Sequence, residues 1–267
     1  MTQNESAAAA HDALIRDQFT RQAEGFAAVP ALHSAEALAM LVTAANPGPE
    51  HTTLDIACGP GSVVVAMSKR ARHATGLDAT AAMLDQARAL AAAEGRENLT
   101  WVEGNVYALP FEPESFDIVT CRFAIHHFAR PLSALAEMAR VCRAGGVVLV
   151  CDAIASDDKA KAAAFNEMER HRDPSTVEFL TLRALRDLFA AADLPPPLET
   201  AFQVPDEAAT AVTRSFPDDA AKVLHMFEAA VEGDGMGLNT RREGDRILFA
   251  YPCVILTAVK PVNPAVR

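Results

Sequence analysis

The feature that most constrains this chain is the run Leu54-Asp55-Ile56-Ala57-Cys58-Gly59-Pro60-Gly61-Ser62, followed by Val63-Val64-Val65-Ala66-Met67. Leu54, Ile56 and Ala57 make an apolar strand end, and the residues from Ser62 open a helix, so a tight glycine turn has to join the two. Glycine lacks a Cβ, which lets the backbone turn sharply and lets a ligand come close. The helix that follows aims its free N–H groups back at the turn. A loop of this kind, at the carboxyl end of a parallel strand, is where open α/β sheets bind their ligands. A glycine pair alone is a weak signal, and its surroundings strengthen it. Asp55 sets a carboxylate into an apolar strand end, which is costly unless it has a partner. Asp78 closes the next apolar run, His73-Ala74-Thr75-Gly76-Leu77-Asp78, at 19 residues beyond Gly59. A second-strand acid meets a ribose hydroxyl pair at an interval of roughly 20 residues. The third glycine of a dinucleotide fingerprint is replaced by Val64, so the loop fits a nucleoside ligand and not the pyrophosphate of NAD.

Further motifs follow in order: Met83-Leu84-Asp85-Gln86-Ala87-Arg88, Gly104-Asn105-Val106-Tyr107-Ala108-Leu109-Pro110-Phe111, Ser115-Phe116-Asp117, His126-His127-Phe128 and Arg140-Val141-Cys142-Arg143-Ala144-Gly145-Gly146. At these spacings the chain resembles the class I S-adenosylmethionine-dependent methyltransferases, in their ubiquinone/menaquinone-biosynthesis-type small-molecule branch, well over roughly residues 15–155 and loosely beyond. The resemblance implies an α/β fold: a Rossmann-like seven-stranded sheet, mostly parallel with an antiparallel last strand, helices on both faces and a helical cover. It implies S-adenosyl-L-methionine as cofactor and methyl transfer by in-line displacement to a small-molecule acceptor. Carried over residue by residue, it assigns Asp55, Ala57, Gly59, Gly61, Asp78, Ala79, Met83, Asn105, Val106 and Arg122 to the cofactor. Asp78 would take the ribose, Met83 the adenine face, and Asn105 with the Val106 N–H the adenine edge. Many relatives carry Asp where Asn105 stands, and the amide carbonyl can still accept a hydrogen bond. Residues 17–26 resemble a lid, with Phe19 and Phe26 toward the substrate. Core packing is the plainer reading of Met83, Phe19 and Phe26.

The pattern predicts residues 1–10 as a disordered terminus and 11–267 as a single domain. Helical spacing covers 11–29 and 34–45, and the lid is placed within 11–45. Strands are expected at 52–58, 73–78, 99–104, 116–123, 147–152 and 198–204, with a seventh at 246–259 in two halves around Pro252. Helices are expected between them, with cover insertions at 157–195 and 206–237. Half the residues are hydrophobic (50%), ample for a full core, and no apolar run reaches the 18 or so residues of a membrane span. The opening residues lack the basic and apolar regions of a signal peptide. The cysteines are five and scattered, which fits core positions in a reducing cytoplasm. A net charge of −11 argues against nucleic acid, leaving a small molecule as substrate and a homodimer through the cover as an open question.

Histidine is the natural general base near neutral pH. His126 and His127, just past the fourth strand, are the catalytic candidates, although the same pair can shape the pocket or cap the next helix. His171 and Arg172, in a charged stretch of the cover, are candidates for substrate contact, against the plainer reading of a solvated face. No histidine spacing suits a metal, so none is expected. Two other classes stay open: a binding protein without turnover, or with another donor and acceptor pair, and an NAD-linked oxidoreductase, which Val64 disfavours.

Overall fold

The structure is a computed structural model that describes residues 11, 13–21, 35–215 and 217–262. The expected terminus 1–10 and Phe26 lie outside the described residues. Five strands alternate with helices in the first part of the chain: α1 (13–21), α2 (Ala35–Ala45), β1 (Thr52–Ile56), α3 (Ser62–Ser68), β2 (His73–Asp78), α4 (Ala81–Ala93), β3 (Leu99–Glu103), β4 (Phe116–Arg122), α5 (Pro131–Val141) and β5 (Cys142–Ala153). The rest runs α6 (Lys159–Arg172), α7 (Leu182–Ala191), β6 (Leu198–Glu207), α8 (Ala208–Ser215), α9 (Ala220–Ala230), β7 (Arg241–Glu243) and β8 (Arg246–Val259). The sheet order is β3-β2-β1-β4-β5-β8-β6, with β7 paired to β8. β1 to β5 are parallel, and β8 runs antiparallel to both β5 and β6. The strand order reverses between β1 and β4, so their carboxyl ends open onto a crevice, the place where such sheets bind ligands.

Alternation along the strands divides the core between the two faces. Leu54, Ile56, Val119, Val254 and Leu256 pack with Leu135 and Met138 of α5 and Phe189 of α7. Ile118, Leu149 and Ile255 face the other way, onto Leu41 of α2 and Val63, Val64 and Met67 of α3. A third cluster lies under the cover, built on Phe165, Met168, Phe179, Phe227 and Phe249. Burying such a side chain stabilises the fold by about 1.5–3 kcal/mol each.

Several boundaries differ from the sequence expectation, each for a local reason. The sheet has an eighth, three-residue strand, β7, joined to β8 by a turn at Gly244 (φ 66°). β1 stops at Ile56 because Ala57 already has a left-handed backbone (φ 49°). β5 starts at Cys142, straight out of α5, with a register shift between the Phe116 and Ile118 pairs where Gly145 turns (φ 75°). β8 is not split at Pro252, since pairing with β5 ends at Cys253 and no ladder partner there needs the missing N–H. The cover 157–195 is interrupted: Pro174 ends α6, and residues 173–179 fold back so that Val177 and Glu178 donate N–H bonds to the His126 carbonyl. No described helix is long and apolar enough to cross a membrane.

Candidate active site

A cavity of about 470 Å³ opens where β1, β2 and β4 end, roofed by Ile15, Arg16 and Phe19 of α1. Its floor is the glycine turn. Cys58 N–H bonds Leu77 O and Gly61 N–H bonds Cys58 O, which folds the turn back over β2. Asp78 ties it down further: one carboxylate oxygen accepts from Gly59 N–H at 2.8 Å and the other from Thr80 N–H at 2.9 Å. Burial raises the Asp78 pKa and those N–H bonds work against the rise.

The two glycines divide their tasks. Gly59 (φ 52°) has nothing within 4 Å of where a side chain would grow, so its open side faces the cavity. Gly61 (φ 83°) does not line the cavity. A Cβ there would stand 2.6 Å from the Trp101 ring and 2.8 Å from Ala87 Cβ, so this glycine serves packing under the turn rather than ligand approach. Gly76 likewise makes room for Trp101, at 2.6 Å. The sequence reading missed Trp101, which lies 40 residues from Gly61.

Asp55 is buried (4% exposed) and accepts a 2.6 Å hydrogen bond from the Thr120 hydroxyl, its register partner on β4. Burial pushes its pKa up to about 7, moderated by Thr120 and by the charge of Arg122. Arg122 is half-buried, desolvation lowers its pKa, and its guanidinium lies 5.1 Å from the Phe123 ring centre. Asp55, Ala57, Gly59, Asp78, Ala79, Met83, Asn105, Val106, Arg122 and Phe19 all line the cavity. Asn105 Oδ1 accepts from Tyr107 N–H at 2.8 Å. Cys58, Ser62, Glu103 and Phe128 join the lining without having been singled out by sequence.

A second cavity, of about 120 Å³, lies against the first under the cover, and Phe123 and His127 line both. His126 lines the second only. Its Nδ1 donates to Asp152 Oδ1 at 2.7 Å, its backbone N–H bonds the other Asp152 oxygen at 3.2 Å, and its ring stacks on Phe179 at 4.1 Å. The His127 Nδ1 lies 3.1 Å from both the carbonyl and the hydroxyl of Ser175, which in turn donates to Asp173 at 2.5 Å. Burial, aided by His126, lowers the His127 pKa to about 3, so this ring is neutral. Both imidazoles thus spend Nδ1–H on the protein. The signal that picked out Asp55 and Asp78, an acid ending an apolar strand, was also present at Asp152. Ser175 and Asp173 carried no comparable signal.

Arg172 lines the second cavity but is engaged by Glu169, which also accepts from the Tyr251 hydroxyl at 2.8 Å, and by the Ser215 hydroxyl. His171 lines neither cavity; it sits in the last turn of α6, and the expected substrate contact has no support there. α1 is fastened over the whole arrangement. His11 Nε2–H donates to His127 O at 2.9 Å, Gln18 Nε2 to Ser215 O at 3.2 Å, and Phe19 meets the His127 ring edge-on at 5.0 Å.

The relatives that this chain resembles in sequence are methyltransferases. A family profile described as a methyltransferase domain matches residues 54–150. The uncharacterized methyltransferase YcgJ of Bacillus subtilis (strain 168) is 30% identical over 246 residues, 91% of this chain and 97% of YcgJ. The YcgJ crystal structure superposes with a TM-score of 0.79 at 28% identity, covering 85% of this chain and 99% of that one. The ubiquinone/menaquinone biosynthesis C-methyltransferase UbiE of Ruegeria sp. (strain TM1040) is 41% identical over 109 residues, a match that takes in 40% of this chain and 44% of UbiE. The strand order, the glycine turn with its two acids, and a methyltransferase relative matched over nearly its whole length lead to one conclusion: this chain belongs to the class I S-adenosylmethionine-dependent methyltransferases.

Proposed function

We propose that the larger cavity takes S-adenosylmethionine and that the second takes a small-molecule acceptor, the two meeting at Phe123 and His127. The observation that carries this is the pairing of Asp78 with the open side of Gly59: a buried carboxylate beside a backbone with no atom within 4 Å of where a side chain would grow. Asp78 would receive the two ribose hydroxyls as charge-assisted hydrogen bonds. Met83 and Val106 would flank the adenine, Asn105 and the Val106 N–H would read its edge, and Asp55 with the Arg122 strand end would face the methionyl group. When bound, the sulfonium supplies an electrophilic methyl with a good leaving group. What remains for the protein is alignment of the acceptor and exclusion of water. Phe19 and its helix close the roof for that purpose.

For an acceptor that must lose a proton, His126 is the base. A carboxylate on Nδ1 fixes the tautomer and orients the ring, which leaves Nε2 as the nitrogen to take a proton. His127, neutral and set between the cavities, positions the acceptor. UbiE relatives are C-methyltransferases by name, but the match to them takes in only 40% of this chain, so the acceptor is not carried over from them.

The test is titration of the protein with S-adenosylmethionine, S-adenosylhomocysteine and NADH, followed by calorimetry and by the emission of Trp101, the single tryptophan, under the glycine turn. Both sulfur nucleosides should bind and NADH should not. Asp78→Ala should weaken binding by about tenfold or more, the loss expected for a charge-assisted hydrogen bond. Unchanged affinity in that variant would remove the ribose assignment.

A further inference from the structure

This inference rests on the cofactor reading above and adds residues that serve it from outside both cavities. The crossovers β1–β2, β2–β3 and β4–β5 each carry a helix, whereas the crossover from β3 to β4, residues 104–115, carries none. Its first residues, Gly104 to Tyr107, nevertheless form one wall of the larger cavity. Backbone groups in such a segment need partners other than a helix of their own. Asn105 supplies the first two: its Oδ1 accepts from Tyr107 N–H at 2.8 Å and its carbonyl from Ala108 N–H at 3.1 Å, which closes a tight turn. The residues after the turn are held by α5. Glu137 Oε2 accepts from Leu109 N–H at 2.8 Å, and Arg140 donates to Leu109 O at 3.0 Å and to Phe111 O at 2.8 Å. The two side chains also lock each other, Arg140 Nε to Glu137 Oε1 at 2.6 Å and Nη2 to Oε2 at 2.8 Å. Such a paired contact between guanidinium and carboxylate is strong and fixes orientation. Arg140 O accepts from Glu114 N–H at 3.0 Å, so the same residue holds the segment near its far end. α5 is itself anchored, since its Leu135 and Met138 are buried in the core. Glu137 and Arg140 line neither cavity.

We propose that Glu137 and Arg140 are positioning residues for the cofactor: by gripping Leu109 and Phe111 they set where the 105–108 turn presents Asn105 and the Val106 N–H to the adenine edge. The bonds made by Asn105 are internal to the turn, so they fix its shape and not its place. Its place comes from Leu109, which follows the turn directly and is held through both its N–H and its C=O. The turn therefore cannot pivot away from the cavity without breaking bonds to α5. Arginine suits this task because its planar guanidinium reaches two carbonyls and a carboxylate at once. A lysine ammonium keeps the charge without that spread of donors.

The experiment titrates the full chain calorimetrically with S-adenosylhomocysteine, S-inosylhomocysteine and 5′-methylthioadenosine. The second carries a 6-oxo group in place of the adenine amino group, and the third keeps adenine but lacks the amino-acid end. Wild type should prefer S-adenosylhomocysteine to S-inosylhomocysteine by about tenfold or more, the cost of a mismatched polar edge. Arg140→Lys should weaken S-adenosylhomocysteine and 5′-methylthioadenosine by one common factor, about three- to tenfold. It should weaken S-inosylhomocysteine much less, so that the base preference narrows. Glu137→Gln, a milder change that keeps an acceptor for the Leu109 N–H, should narrow it in the same direction. A purely structural role would lower all three affinities by one factor, or none of them, and leave the base preference as in wild type. That result in Arg140→Lys, or in Glu137→Gln should the lysine variant not fold, would overturn the proposal. Wild-type protein that binds S-adenosylhomocysteine without preferring it to S-inosylhomocysteine would overturn the adenine-edge assignment and the proposal with it. No binding of S-adenosylhomocysteine at all would overturn the cofactor reading on which both rest.

Discussion

Gly59 and Gly61 share a left-handed backbone and differ in what stands where a side chain would grow, so alanine at the two positions should fail in different ways. Gly61→Ala meets Trp101 and Ala87 at under 3 Å. Backbone strain of about 1–2 kcal/mol and overpacking of about 1–3 kcal/mol predict a large fall in melting temperature. Gly59→Ala carries the strain alone, so it should melt only a few degrees lower, yet bind S-adenosylhomocysteine weakly because the Cβ occupies the ligand's side. Thermal denaturation and calorimetry on the same two proteins separate the effects, and equal loss of binding at equal stability would contradict the division. Asp55 gives a second case. Its folded pKa, about 7, lies above its ordinary 3.8. A raised carboxyl pKa contributes stability that is complete below pH 4 and lost as pH rises through 7. Asp55→Asn, which still accepts from Thr120, should therefore melt like wild type at pH 4 and higher at pH 8 in the ligand-free protein, by on the order of 1–3 kcal/mol, while binding the cofactor less well. Both acids were legible in the sequence because a carboxylate interrupts an apolar run. Thr120 was not, because it meets Asp55 only through the β1–β4 register.

At the scale of elements, α1 roofs the larger cavity through contacts that no periodicity announces. Phe19 leans on His127, which borders both cavities, while Gln18 holds α8 through the Ser215 carbonyl. One helix therefore both roofs the larger cavity and braces α8 of the cover. Phe19→Ala should speed cofactor release several-fold in stopped-flow measurements of Trp101 emission, with a melting temperature within a few degrees of wild type, since the ring is only half-buried. Release at the wild-type rate would make Phe19 a packing residue alone. The regular elements on either side of the sheet were readable from spacing, and Pro174 could have been read as the stop that divides the cover. What spacing could not supply was the return of 173–179 onto the His126 carbonyl, a contact made between residues some fifty apart. That fold-back brings Ser175 and Asp173 behind His127, and with them the polar half of the second cavity.

The whole molecule raises the question of whether the cover and the sheet fold together. The order of the motifs made the sheet legible, since each acid or glycine ends a strand that the topology then gathers at one edge. The second cavity was not legible, because its walls come from the chain just past β4, from β5, α6, the 173–179 return, β6, α8 and β8, which only the finished fold assembles. β8 belongs to both parts: Val254 and Leu256 pack in the sheet's core while Phe249 and Cys253 pack under the cover. A strand shared in this way makes melting of the cover alone costly, because it would expose one half of β8 while the other stays paired. We propose that residues 35–262 unfold as one cooperative unit. Calorimetry should give a single transition whose calorimetric and van't Hoff enthalpies agree. Phe227→Ala, deep in the cover and far from the larger cavity's lining, should lower stability by about 3–5 kcal/mol and move that transition whole. S-adenosylhomocysteine at a hundred times its dissociation constant should restore about 2.7 kcal/mol by linkage, although it binds at the sheet and the damage lies in the cover. Two transitions in the variant, with only the upper one raised by ligand, would mean that the cover is a separate unit resting on an independently stable sheet.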